Sequence, residues 1–153
     1  MKNYEDIINN SPFILNHLIS LKETHDYYLK QFLKKETEIS YSQYYMFMLL
    51  YYESGVNQSD IAKVCFMNRS GVSRTFSEFE KKGLIKREIN PDNKREYNTT
   101  LTEKGLKTAK FLEKKEIEWD EMICRQLDMS REDLLEILSK LSMKSLNFNR
   151  EKF

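Results

Sequence analysis

The chain has 153 residues, 40% hydrophobic and 32% charged, which is enough apolar content for a buried core and too much for a disordered chain. Only four glycines and two prolines are present, which favours long helices over a turn-rich sheet protein. The net charge of +1 says little about partners, and two cysteines, Cys65 and Cys124, exclude a disulfide scaffold or a cysteine zinc site.

The opening MKNYEDIINN carries acids and no apolar segment of the kind a secretory signal needs. The longest apolar run, YYMFMLLYY at 44–52, is far short of the roughly 18 residues of a membrane span. No membrane partner is expected, and the cytoplasm is the expected location. Ser11 before Pro12 reads as an N-cap with proline in the first turn. From there Ile14, Leu18, Leu21, His25, Leu29 and Phe32 step by three or four, which predicts a first helix from about Pro12 to about Lys34. A second helix starts near Ser40 or Ser42, carries YYMFMLLYY and ends before Gly55; apolar nearly all round, it needs neighbours on several sides.

Asn57 then caps a short third helix, QSDIAKVC, with Ile61, Ala62, Val64 and Cys65 inward and Asp60 in the first turn. Asn68 caps a fourth, whose Val72, Phe76 and Phe79 face the core. It stops at KKGL, where Gly83 sits just past the end and Leu84 folds back toward Phe79, a Schellman ending. LIKREI, the turn PDNK and the Tyr/Thr-rich REYNTTL predict a β-hairpin over 84–101 with its tip at Pro91–Asn93. Thr102 caps a long fifth helix reaching about Leu127, and Ser130 caps a sixth with Leu134, Leu138 and Leu141 on one face. The fold class is therefore mainly α with a small β-hairpin (α+β). With neither repeats nor low-complexity linkers, 1–153 reads as a single domain.

The fourth helix has an unusual polar face. Opposite its apolar residues lie Arg69, Ser70, Ser73, Arg74 and Ser77, with Gly71 among them, although Ser and Gly are weak helix formers. Between Arg69 and Arg95 there are eight basic and four acidic residues, so the positive charge is concentrated in this one segment. Two short helices, the second backed by a hairpin, make a winged helix-turn-helix, and in that architecture the second helix lies in the DNA major groove. Arginine there forks onto guanine, while serine bonds bases or phosphates without holding the helix away. The expected DNA-contacting residues are Asn68, Arg69, Ser70, Ser73, Arg74 and Ser77 on this helix. Gln58 and Ser59 at the start of the third helix are expected on phosphates, and Lys94 and Arg95 on the wing beside the groove. The competing readings are a solvated face that lacks acids and, for the whole chain, a winged-helix protein-interaction module that never touches DNA.

The stretch QSDIAKVCFMNRSGVSRTFSEFEKKGLIKREINPDNKREYNTTLTEKG resembles the winged helix-turn-helix of the MarR family of bacterial transcriptional regulators. The resemblance extends from ISYSQYYMFMLL to the capped last helix, and FEKKGLIKR, the wing ending in KR, and LTEKG are its most specific parts. It implies a homodimeric regulator, in most cases a repressor, on a pseudo-palindromic operator. The lobe at about 38–101 would bind DNA, and the helices at about 11–35 and 102–150 would form the dimer interface. It also implies a bacterial cytoplasmic protein released from DNA by a small-molecule or redox signal, with Arg95 as the wing-tip arginine of the minor groove. Two positions depart from the family pattern: Asn93 stands where aspartate usually precedes the basic wing pair, and Phe66 stands where the turn usually holds glycine.

Family members often bind small aromatic ligands among the first, second and fifth helices, which makes Tyr27, Tyr44 and Tyr45 candidates for an effector pocket. Core or interface packing is their plain alternative. Cys124 and Cys65 are the redox candidates, against inert packing. His17 and His25 share a helical face but have no cysteine or carboxylate cluster of metal spacing, so no metal is expected. No Gly-rich phosphate loop, HExxH or nucleophile–base pair emerges, so neither an enzyme nor a cofactor is expected.

Overall fold

The computed structural model describes residues 4–53, 58–65, 67–91 and 97–152. The chain forms two compact units, residues 1–111 and 112–153. The first contains α1 (Tyr4–Asn9), α2 (Ile14–Glu36), α3 (Tyr41–Tyr52), α4 (Gln58–Val64), α5 (Arg69–Lys81), β1 (Ile85–Ile89) and β2 (Tyr97–Leu101). The long α6 (Glu103–Leu127) starts in this unit, and the second unit holds its remainder and α7 (Arg131–Lys152). Among the described residues no helix is long and apolar enough to cross a membrane.

Two features at the start differ from expectation. The six-residue α1 was not predicted, and α2 starts at Ile14 rather than Pro12, with the N-cap position on Phe13. The Ser11 hydroxyl accepts from the Asn16 side-chain amide at 2.8 Å and only weakly, at 3.4 Å, from Phe13 N–H. At the other end the Thr37 hydroxyl donates to Leu33 O at 2.8 Å and accepts from Ile39 N–H at 3.1 Å, which turns the chain out of α2. Ser40 then starts α3 in a capping box with Gln43, whose Oε1 accepts from the Ser40 N–H at 3.2 Å.

The core of this unit seats α5. Phe47 of α3, Ile61 of α4, Val72, Phe76 and Phe79 of α5, and Leu84 and Ile85 at the start of β1 are all buried. Phe47 meets Phe79 edge to face with centroids 5.4 Å apart, a geometry worth about 0.5–1.5 kcal/mol beyond the area it buries. Ile61 and Ala62 are the inward residues of α4. Val64, expected in the core, is exposed because the seven-residue helix ends there, and Cys65 is only half-buried.

The end of α5 is a full Schellman motif. Leu84 N–H donates to Phe79 O and Gly83 N–H to Glu80 O, both at 2.9 Å, with Gly83 at φ +66°. Its carbonyls then organise the next helix. Thr102 N–H donates to Leu84 O at 3.0 Å, and the Thr102 hydroxyl donates to Gly83 O at 2.6 Å while accepting from Gly105 N–H at 3.0 Å. Gly105 is needed for close approach, because a Cβ there would lie 1.9 Å from Leu84 O. The LTEKG motif thus has a cap and a contact in it. The hairpin is antiparallel, running from Ile85 opposite Leu101 to Ile89 opposite Tyr97.

In the second unit Ser130 caps α7, its hydroxyl accepting from Asp133 N–H at 3.0 Å. Asp128, at φ +51°, turns the chain, and the Arg131 guanidinium holds Asp120 of α6 at 2.8 Å.

Candidate nucleic-acid interface

The local sequence of α5 explains both of its faces. Asn68 Oδ1 accepts from Gly71 N–H at 2.7 Å and from the Ser70 hydroxyl at 2.8 Å, so the start of the helix is closed by a side chain. With Val72, Phe76 and Phe79 buried at i, i+4 and i+7, Arg69, Ser70, Ser73 and Arg74 are exposed. Among the described residues neither Arg69 nor Arg74 makes an ion pair. The first two turns of this helix therefore present two cations, unpaired among the described residues, and two short hydroxyls to solvent.

Ser77 differs from these. It is half-buried, donates to Ser73 O at 3.0 Å and accepts from the Arg87 guanidinium at 3.4 Å. Gln58 and Ser59, at the start of α4, are half-buried as well. Lys94 and Arg95, with Asn57 and Phe66, lie outside the described residues.

Arg87 is the residue that sequence reasoning missed. It lies on β1, pairs with Glu80 of α5 through Nη2 at 2.5 Å and Nε at 3.1 Å, and sits 5.6 Å from the centroid of Tyr97 on β2. The hydrogen bond from Arg87 holds the Glu80 carboxyl below its usual range. One side chain thereby joins the hairpin to the C-terminal half of α5. A signal was available, since Arg87 shares a strand face with Ile85, and a cation on an inward face needs a partner.

A cavity of about 360 Å³ opens between α2 and α3 and is lined by Lys22, His25, Asp26, Leu29, Tyr41, Ser42, Tyr44 and Tyr45. Of the tyrosines proposed for an effector, Tyr44 and Tyr45 line it, while Tyr27 is exposed and is not among its walls. Asp26 is buried there and takes an ion pair from Lys22 at 2.5 Å; Lys22 also reaches the Tyr41 hydroxyl at 3.3 Å. Burial pushes the Asp26 carboxyl up, but hydrogen bonds from Lys22 and Tyr41 outweigh it and hold the group below its usual value. Tyr41 moves up, from burial first and its bond to Asp26 second. His17 contacts Ser11 O at 3.2 Å, and His25 lies 3.9 Å from Asp26.

The two cysteines are placed differently. Burial raises the Cys65 thiol, which lowers its reactive thiolate fraction. Cys124 is buried on α6 and borders a cavity of about 380 Å³ with Glu121, Arg125 and Arg131.

Comparison with known proteins points one way. The sequence model of the MarR family matches residues 39–97, which run from the start of α3 into β2. An uncharacterized HTH-type transcriptional regulator of Bacillus subtilis (strain 168), YdgJ, is 28% identical over 106 residues, 69% of this chain. The chain spans less than two thirds of that relative's length, 65% of it. Among solved structures, a MarR transcriptional regulator from Methanosarcina mazei Go1 superposes with a TM-score of 0.76 at 23% identity, covering 90% of this chain and 99% of that one. The MepR–DNA complex of S. aureus gives 0.68, also at 23% identity, over 89% and 99%. The lobe at 39–97 is thus similar in sequence to the MarR family, and along nine-tenths of its length the chain shares the fold of these solved structures.

Proposed function

We propose that this protein is a sequence-specific DNA-binding transcriptional regulator, acting as a repressor from a pseudo-palindromic operator. The observation that carries the reading is the exposed polar face of the first two turns of α5. Arg69 and Arg74 stand there without counter-charges among the described residues, beside short Ser70 and Ser73, on a helix whose opposite face is buried. Small side chains give clearance for a groove, and the arginines supply the guanine-reading forks. A protein-interaction face would expose apolar or mixed-charge residues at these positions. Lys94 and Arg95 on the wing, and Gln58 and Ser59 at the start of α4, add phosphate contacts. The similarly folded MepR has been solved on DNA, which supports the same role for this chain.

The working form is a homodimer, which suits an operator with two half-sites about one helical turn apart. The N-terminal half of α2 supports this, with Phe13, Ile14 and Leu15 more than 60% exposed, and α7 similarly exposes Ile137, Met143 and Phe148. Apolar side chains in such number ask for a cover. A small, mostly apolar effector with one polar group suits the cavity of Tyr44 and Tyr45. Its binding shifts the spacing of the two α5 helices and releases DNA; Cys124 is the candidate for redox release. Selection of bound DNA from a random pool tests the reading. Enrichment of a two-half-site sequence is expected, and a pool that stays random refutes it.

A further inference from the structure

The cavity and α5 meet at a single turn of chain. The first turn of α3 places Tyr41 at the cavity and, two residues later, Gln43 against α5. Gln43 and Asp26 are the two buried polar side chains among the described residues, and each sits at one end of this turn's contacts. Gln43 makes three hydrogen bonds through its side-chain amide. Its Oε1 accepts from Ser40 N–H and from Lys82 Nζ, both at 3.2 Å, and its Nε2 donates to the Glu78 carboxylate. Lys82 also donates to Glu38 O at 2.7 Å, and Lys104 reaches Glu38 Oε2 at 2.9 Å and Lys82 O at 2.8 Å. Glu78 lies on α5 and Lys82 at its end. A buried amide with three such bonds resists partial movement, because any partner it loses leaves a desolvated polar group.

At the other side of the turn, the Tyr41 hydroxyl bonds Asp26 and Lys22, and the Lys30 ammonium stands 4.3 Å from its ring centroid. Displacing Tyr41 therefore displaces the backbone that carries Gln43. From Glu78 back to Arg69 is about 13 Å of helix, so a tilt of roughly 5° about Glu78 moves Arg69 by about 1 Å. That shift exceeds the tolerance of a few tenths of an ångström in a good hydrogen bond. We propose that Gln43 and Glu78 are positioning residues that transmit the state of the α2–α3 cavity to α5. The proposal rests on the reading of α5 as the helix that contacts DNA.

A double-mutant cycle tests it on the full-length protein and the DNA selected from a random pool. Glu78→Ala keeps the Gln43–Ser40 capping bond and should weaken DNA binding about tenfold, roughly 1.4 kcal/mol. Removing a negative charge near DNA would by itself act in the opposite direction. Glu78→Gln retains a hydrogen-bonding partner and should stay within about twofold of wild type. Tyr41→Ala should change affinity about fivefold in the wild-type background and less than twofold beside Glu78→Ala, as coupled residues do. Equal changes in both backgrounds, or no change from Tyr41→Ala, overturn the proposal; Tyr41→Phe replaces it if the alanine variant does not fold. Amide hydrogen exchange along 69–81 reads the same coupling without DNA. Tyr41→Ala should alter it only while Glu78 is present, and unaltered exchange overturns the proposal. Wild type that enriches no DNA sequence counts against the DNA-binding reading instead, and the exchange result stands apart from it.

Discussion

Gly105→Ala should destabilise the protein by about 3 kcal/mol, although alanine is the better helix former. The added Cβ would lie 1.9 Å from Leu84 O and 3.0 Å from its carbonyl carbon. Carbon–oxygen contacts normally begin near 3.3 Å, so the overlap is about 1.4 Å. Both colliding groups are backbone, and no rotamer change can relieve them. Either β1 or the start of α6 must move by more than an ångström, and overpacking of this kind costs about 1–3 kcal/mol. The movement also pulls on two bonds that start α6, Thr102 N–H to Leu84 O and Gly105 N–H to the Thr102 hydroxyl, both 3.0 Å long. Each contributes about 1 kcal/mol. Against these stands a propensity gain of about 1 kcal/mol for replacing glycine within a helix. At 2–4 °C per kcal/mol for a chain of this size, the melting temperature should fall by roughly 6–12 °C. Thermal unfolding followed by circular dichroism at 222 nm measures it. Gly71→Ala serves as the contrast, since its Cβ would meet the flexible end of Met67 at 3.1 Å and the Asn68 side chain at 3.2 Å. A Gly105→Ala melting temperature within about 2 °C of wild type would refute the close approach of Leu84 and α6.

Four other substitutions or measurements bear on function and stability. Arg74→Ala should cost about 1–3 kcal/mol in binding to the selected site while the thermal midpoint holds; unchanged affinity sinks its role on the groove. Arg95→Ala should lower the slope of log affinity against log salt by about one, and a slope that stays put removes the wing from the phosphates. The folded Asp26 carboxyl titrates below its unfolded value of about 3.9, so its stabilisation is complete above that pH and is lost as pH falls through the folded value. Asp26→Asn should therefore flatten the acid side of the stability curve, and a curve with wild-type steepness there contradicts the buried ion pair. Sedimentation should give about twice 18.4 kDa at micromolar concentration, and a monomer would contradict the interface assigned to α2 and α7.

What the sequence revealed in advance was mostly local. Asn68, Thr102 and Ser130 each bond a backbone N–H three residues on, so their caps can be read from a few adjacent letters. Gly83 and the apolar spacing of Val72, Phe76 and Phe79 were legible for the same reason. The six-residue α1 is too short for a period to show. At Ser11 the pattern pointed to a cap, but the hydroxyl takes its shorter bond from the Asn16 side chain and only a 3.4 Å one from Phe13 N–H. Val64 matched the core spacing of a longer helix than the one that forms. The long-range polar partners left no trace in any pattern: Gln43 and Glu78 are 35 residues apart, and Lys82 and Glu38 are 44 apart. Asp26 had a legible partner four residues back in Lys22, but nothing nearby announced Tyr41.

The structure also divides the polar face of α5 into residues already employed and residues left open. Asn68 spends its oxygen on Gly71 and Ser70, and the Ser70 proton goes to Asn68. Ser77 is held between Ser73 O and Arg87, and Glu80 is held by Arg87, so the C-terminal half of the helix belongs to the hairpin and to α3. Arg69, Ser73 and Arg74 remain, all within the first two turns. Their placement matches the physics of the helix end, where the dipole favours phosphate and where a groove-bound helix presents its base-contacting residues. Ser70 can still accept a bond but can donate to a phosphate only by giving up Asn68. In this reading Arg69, Ser73 and Arg74 discriminate between bases, while Asn68, Ser70 and Ser77 hold them in place. The proposed groove-facing role accounts for the weak helix formers on this face, since small residues around the two arginines leave a groove clear.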